Sequence, residues 1–168
     1  MQWHGIPGNF RATYPNLDIA VQNDKWIITR SFGDPKTAPT RDHATIEESI
    51  KPGSWVSWVV HAKWSPDENG LLEIWKDGKI VFDRKGSNVY GTIGVEYTPY
   101  LKTGIYHPFW HVTGDASRKD DASRAAFDAE TASNTPVKNK TVYITDFKMG
   151  NEHVTYNDVA PHAETVAQ

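Results

Sequence analysis

The chain has 168 residues, Lys+Arg 18 against Asp+Glu 21, a net charge of -3 and no cysteine. That length suits one domain closing a single core without disulfides or thiolate chemistry, and the even charge balance leaves no broad basic field for nucleic acid or an anionic membrane. No run approaches the roughly 20 apolar residues of a membrane span, and Met1 leads straight into a patterned segment without a basic n-region or apolar h-region, so the sequence as written is not expected to be addressed for export.

The pattern begins with "QWH", where period 2 puts Gln2 and His4 on one strand face and Trp3 on the other. An amide beside an imidazole can bind a carboxylate and move a proton. "NLDIAVQ" and "KWIITRSF" read as strands, "GDPKTAPTRD" as a loop, "ATIEESI" as a further strand and "KPG" as a turn. In "SWVSWVVHAKWS" (54–65) the even positions Val56, Trp58, Val60, Ala62 and Trp64 form an apolar row for the core, and His61 and Lys63 share the other face. "SPDENG" is a turn, and "LLEIWKDGKIVFD" is a hairpin closed by Asp77-Gly78, which is a turn pair rather than a site.

In "YLKTGIY" (100–106), Leu101, Thr103 and Ile105 point one way while Tyr100, Lys102, Gly104 and Tyr106 point the other. A cation and two phenols thus share a face, with Gly104 leaving a gap where a ring can approach the backbone; His107 falls on the opposite parity. Residues 111–140 turn to Asp, Ser, Ala, Arg and Lys, a long polar loop read as an ordered excursion beside a groove. "DASRAAFDAETA" is a short helix candidate within it, anchored by Phe127. "KTVYITDFKMG" reads as a strand, "EHVTY" as a shorter one, and 161–168 as a frayed tail. With scarce helical periodicity, the expectation is one all-β domain over residues 1–168, a sandwich of two antiparallel sheets. The heavy aromatic load, Trp 7 and Tyr 7, serves either that core or flat faces on which sugar rings stack.

Several chemistries lack support. The histidines and aspartates never take a tight zinc spacing and no nucleophile elbow marks a serine hydrolase; the paired carboxylates of a glycosidase stay open, although the adjacent Glu47 and Glu48 face opposite ways on a strand.

In order and wording, "QWHGIPG", "WVSWVVHAKWSPDENGLLEIWKDGKIVFDRKGSNVY", "YLKTGIYHPFW" and "VYITDFKMG" resemble the polysaccharide lyases of the heparin lyase I and glucuronan lyase group, and the Q-x-H and Y-x-K-x-G-x-Y pair is similar to that of alginate lyases. The resemblance runs from Gln2 to about Gly150 and implies a β-jelly roll with a concave substrate groove. It also implies β-elimination in a 1,4-linked uronic-acid polymer of glucuronan, alginate or glycosaminoglycan type, leaving unsaturated uronate ends. By resemblance, Gln2 holds the C6 carboxylate, His4 is or assists the base, Tyr106 protonates O4, and Lys102 lowers the phenol pKa or neutralises substrate. Tyr100, His61, Lys63, Trp110 and Arg11 are candidate substrate-binding residues.

Relatives usually carry an upstream strand of Arg, Gln or Glu residues, whereas this sequence opens at "QWH". Arg11, Arg30 or Lys63 are candidates to replace that strand's groups, and an edge left open there would favour a homodimer. A non-catalytic carbohydrate-binding domain that lost the strand is the alternative. No cofactor is required for the chemistry and no metal ligand is assigned; the resemblance allows a structural calcium, with Asp146 as a candidate. Localisation stays open, the substrate class favouring extracellular or periplasmic action.

Overall fold

Alternation of apolar and polar residues leaves one side of each strand to be buried, and the strands of this chain bury theirs against one another. The computed structural model describes residues 1–5, 14–34, 37–91, 99–105 and 141–161. Its strands are β1 (Gln2–His4), β2 (Leu17–Gln22), β3 (Lys25–Phe32), β4 (Thr40–Ser49), β5 (Trp58–Lys63), β6 (Leu71–Lys76), β7 (Lys79–Lys85) and β8 (Tyr100–Lys102), followed by the one-turn helix α1 (Tyr156–Val159). They form a five-stranded sheet in the order β4-β3-β2-β1-β8 and a three-stranded sheet β5-β6-β7, every ladder antiparallel. The all-β sandwich expected from the sequence is the fold observed.

The core lies between the sheets. Leu17, Ile19 and Ile28 from the larger sheet meet Leu72, Ile74 and Phe82 from the smaller, all essentially excluded from solvent. Trp3, Trp26, Ala44 and Ile46 flank them on one side and Trp58, Val60, Ala62 and Trp64 on the other, so the even-numbered row of β5 faces inward. Trp26 meets Trp58 edge-on, ring centroids 5.1 Å apart. Each fully buried aliphatic side chain contributes about 2 kcal/mol.

Turn chemistry fixes the registers. Asn23 and Asp24 (φ 50 and 59) join β2 to β3, and Asp77 and Gly78 (φ 49 and 79) join β6 to β7; both pairs have the positive φ values of the turn that matches strand twist. Beyond β7, the Asn88 side chain accepts from the Ser65 N–H (2.8 Å) and donates to the Lys63 and Leu71 carbonyls (2.9 and 3.0 Å). This pins the segment that carries the buried Tyr90.

Four expectations change. β4 begins at Thr40, inside the expected loop, because Arg41, Asp42 and His43 pair with Ser31, Arg30 and Thr29. β8 ends at Lys102, and Gly104 has φ 135, so strict alternation along this strand stops before Tyr106. Residues 141–150 are exposed and form no strand; Asp146 (φ 53) interrupts the extended run that "KTVYITDFKMG" promised. "EHVTY" is not a strand either: the Thr155 N–H and hydroxyl both donate to the Asp158 carboxylate at 2.7 Å, opening α1 instead. Tyr156 of α1 packs on Trp75 at 5.1 Å. The polar loop 111–140 with its candidate helix, and the tail beyond Pro161, lie outside the described residues.

The chain divides into two compact units. Met1–Thr103 with Asp146–Gln168 holds both sheets and α1. Of Gly104–Thr145, the described residues 104, 105 and 141–145 are exposed and outside helix or strand. Among the described residues, no helix is long and apolar enough to cross a membrane.

Candidate functional site

The side of the five-stranded sheet turned away from the core is polar, and its register lines up one row across every strand. Lys102 of β8 stands opposite Gln2 of β1, Gln2 opposite Asp18 of β2, Asp18 opposite Thr29 of β3, and Thr29 opposite His43 of β4. Two residues along, His4 faces Tyr100 across β1 and β8, and Ser31 faces Arg41 across β3 and β4. The same pairings turn Trp3, Leu17, Ile19 and Ile28 to the core. Sequence parity thus correctly puts Gln2, His4, Tyr100 and Lys102 on one surface.

His4 is buried, and among the described residues its Nδ1 has no hydrogen-bond partner. Burial, reinforced by the positive Lys102, holds the imidazole below its ordinary value of 6.5. It is therefore neutral at pH 7 and able to accept a proton. Its ring centroid lies 6.3 Å from that of Tyr100, and Lys102 Nζ sits 5.0 Å from the Tyr100 centroid. Neither Lys102 nor Arg41 forms a salt bridge among the described residues, in contrast with Lys25, Arg30, Lys51, Lys76 and Arg84.

Asp18 is the neighbour that sequence did not single out. Burial raises its carboxyl pKa, opposed in turn by a hydrogen bond with Gln2, the Met1 amino group and Arg41. A carboxylate accepts, so in that bond the Gln2 amide is the donor. Asp18 in this way orients Gln2. Further along, the Arg41 guanidinium lies over the Tyr14 ring at 4.2 Å. Burial above all raises the pKa of the buried Tyr90 hydroxyl, partly offset by the neighbouring Ser31. Gln22, Ile27, Thr29, Arg41, His43 and Thr45 line an open depression of about 300 Å³ on this surface.

Other expected residues are not brought here. His61 and Lys63 lie on the outward face of the three-stranded sheet, beyond the core from the row just described, and His61 Nδ1 is 2.7 Å from the Glu73 carboxylate. Arg30, a candidate to complete anion binding, faces inward: its Nε and Nη2 donate to the Asp42 carboxylate (3.1 and 2.7 Å), and Nη1 donates to the Lys85 carbonyl (3.2 Å). It ties the two sheets together. Tyr106, Trp110 and Arg11 lie outside the described residues. Asp146, the calcium candidate, is in the exposed stretch 141–150, and among the described residues no group of three or more His, Asp or Glu side chains converges as a metal site would need.

Asp18, Arg41 and His43 were missed because each sits in a strand whose register only the folded sheet reveals. Parity within "NLDIAVQ" separates Asp18 from the core residues Leu17 and Ile19, yet nothing local in the sequence says that Asp18 faces Gln2.

A family model described as polysaccharide lyase matches residues 1–144. No curated protein and no solved structure gives a significant match.

Proposed function

We propose that this chain, which belongs to the polysaccharide lyase family, cleaves a 1,4-linked uronate polymer by β-elimination on the outer face of its five-stranded sheet. The family carries the lyase function; the uronate substrate and the residue roles are what the motif resemblance implies, and the face lends support to those of Gln2, His4 and Lys102. The observation that supports them best is the pairing of Gln2 with Lys102 and His4 with Tyr100 across β1 and β8. It gathers an amide donor, a cation, a neutral imidazole and a phenol ring on one surface.

The C5 hydrogen of a uronate is a weak acid, and the charge released when it leaves spreads into the C6 carboxylate. Donors placed at that carboxylate before reaction stabilise the developing charge. Gln2, oriented by Asp18, and Lys102 supply them. The neutral His4 takes the C5 proton, the electron pair forms the C4–C5 double bond, the C4–O4 bond breaks, and Tyr106 gives its phenolic proton to O4. Water is not consumed, and the new chain end is unsaturated. The net charge of -3, with few arginines near the motifs, favours an unsulfated chain such as glucuronan or alginate over heparin, for which a denser basic groove is expected.

The test is a panel of glucuronan, alginate, hyaluronan, heparin and pectate, followed by the ultraviolet absorbance of unsaturated uronate ends. An unsulfated uronate polymer should yield the signal, and Tyr106→Phe should lose it. Binding without any such product would favour the non-catalytic carbohydrate-binding alternative, and full activity in Tyr106→Phe would remove that residue from the role given to it.

A further inference from the structure

We infer that Arg41, with His43 beside it, forms a second anion subsite on this face, so that the polymer runs across the strands from β8 to β4 and is held at two separated acidic groups. The inference rests on the proposal that the face binds an acidic polysaccharide, and it adds a direction and a length requirement.

Three observations carry it. Arg41 has no salt bridge among the described residues, although the arginines at 30 and 84 both reach Asp42. Its guanidinium lies over the Tyr14 ring, Cζ 4.2 Å from the centroid, a cation–π contact that engages none of its N–H donors. Finally, Arg41 and His43 line the 300 Å³ depression together with Thr29 and Thr45, and Thr29 and His43 belong to the same cross-strand row as Gln2 and Lys102.

The charges along that face alternate. Lys102 lies at the β8 end, Asp18 in the middle on β2, and Arg41 on β4. A polymer crossing the face meets a carboxylate in the middle, so its own acidic groups settle at the two ends. With neighbouring strands about 4.8 Å apart, β1 and β4 are separated by roughly 14 Å, more than one sugar ring away from the bond being broken. Lys102 and Gln2 then grip the uronate undergoing reaction, and Arg41 and His43 grip a uronate further along the same chain.

Binding is measured in the Tyr106→Phe background, alone and with Arg41→Gln, Arg41→Lys or His43→Gln, by titration calorimetry with polymeric glucuronan, alginate and heparin and with a uronate disaccharide, while unsaturated ends are assayed with the wild type. The expected result is binding of at least one polymer, weakened on the order of tenfold by Arg41→Gln and less by Arg41→Lys and His43→Gln, as loss of a charged hydrogen-bonding group implies. The disaccharide, too short to bridge the subsites, binds all four proteins alike. The subsite is overturned if no polymer binds, if Arg41→Gln and Arg41→Lys bind polymer as the Tyr106→Phe parent does, or if disaccharide binding falls as much as polymer binding. Arg41-dependent binding without unsaturated product sustains the subsite while overturning the proposed elimination, so the two claims fail separately.

Discussion

The outward faces of the two sheets carry similar residues and treat them differently. On the three-stranded sheet, His61 is exposed and hydrogen-bonded to Glu73 across the β5–β6 pair. On the five-stranded sheet, His4 is buried, its Nδ1 has no hydrogen-bond partner among the described residues, and the positive Lys102 adds to burial in holding it neutral. An imidazole with a carboxylate partner is at rest, as solvent-facing polar groups on a sheet usually are. One held neutral beside a cation is costly to the fold, and such perturbed groups cluster at binding and catalytic sites.

The sharpest way to break that contrast is to remove each histidine in turn. His4→Ala should lower kcat/KM on the active polymer by roughly 100- to 10,000-fold, the range for a general base, whereas His61→Ala should leave it unchanged. Steady-state rates of unsaturated-end formation make the comparison. Equal losses in both variants would erase the distinction between the faces.

A second contrast separates the two sides of the larger sheet, where Arg30 and Arg41 are both arginines yet serve different ends. Asp42→Ala strands the buried Arg30 guanidinium without its carboxylate and should cost about 2–3 kcal/mol of stability, less than for a wholly buried pair because Asp42 is partly exposed. Removing Arg41 breaks no salt bridge among the described residues, only its contact with Tyr14 and its field at Asp18, and should cost about 1 kcal/mol or less. Urea unfolding of the two variants tests this; equal losses would mean that Arg41 is also a structural cross-link.

A subtler effect lies in pH dependence. The folded pKa of His4 is depressed below 6.5, chiefly by burial and then by Lys102. Its contribution to stability is therefore complete above pH 6.5 and is lost as pH falls from there toward the depressed folded value, where the unfolded chain takes up a proton that the folded one resists. The acid limb of kcat/KM should lie below pH 6.5. Lys102→Gln should move that limb upward, toward 6.5, besides lowering the rate. An unmoved limb would show that Lys102 exerts no field on His4.

How much of this was legible in the sequence depended on the range of the signal. The Asp77-Gly78 turn, the inward row of β5 and the shared face of Gln2 and His4 follow from neighbours in the chain, and the folded protein has them. Parity also put His61 and Lys63 together on one face of β5, but alternation cannot say which sheet a face belongs to, and theirs lies beyond the core from His4. Asp18, Arg41 and His43 join the site only through the register of β1, β2, β3 and β4, which is set by pairings between distant segments. At residues 141–150 an apolar alternating run forms no strand, because the left-handed Asp146 breaks it, and composition alone does not reveal that break.

Nuclear magnetic resonance of the isotopically labelled Tyr106→Phe variant, titrated with an oligomer of the polymer cleaved by wild type, tests most directly where the substrate lies. Resonances of Gln2, His4, Thr29, Arg41 and His43 are expected to shift together, while those of His61, Glu73 and Asp83 on the other sheet stay in place. Shifts gathered on His61 and Glu73, with the row from Lys102 to His43 unmoved, would contradict the assignment of the five-stranded sheet as the reacting surface.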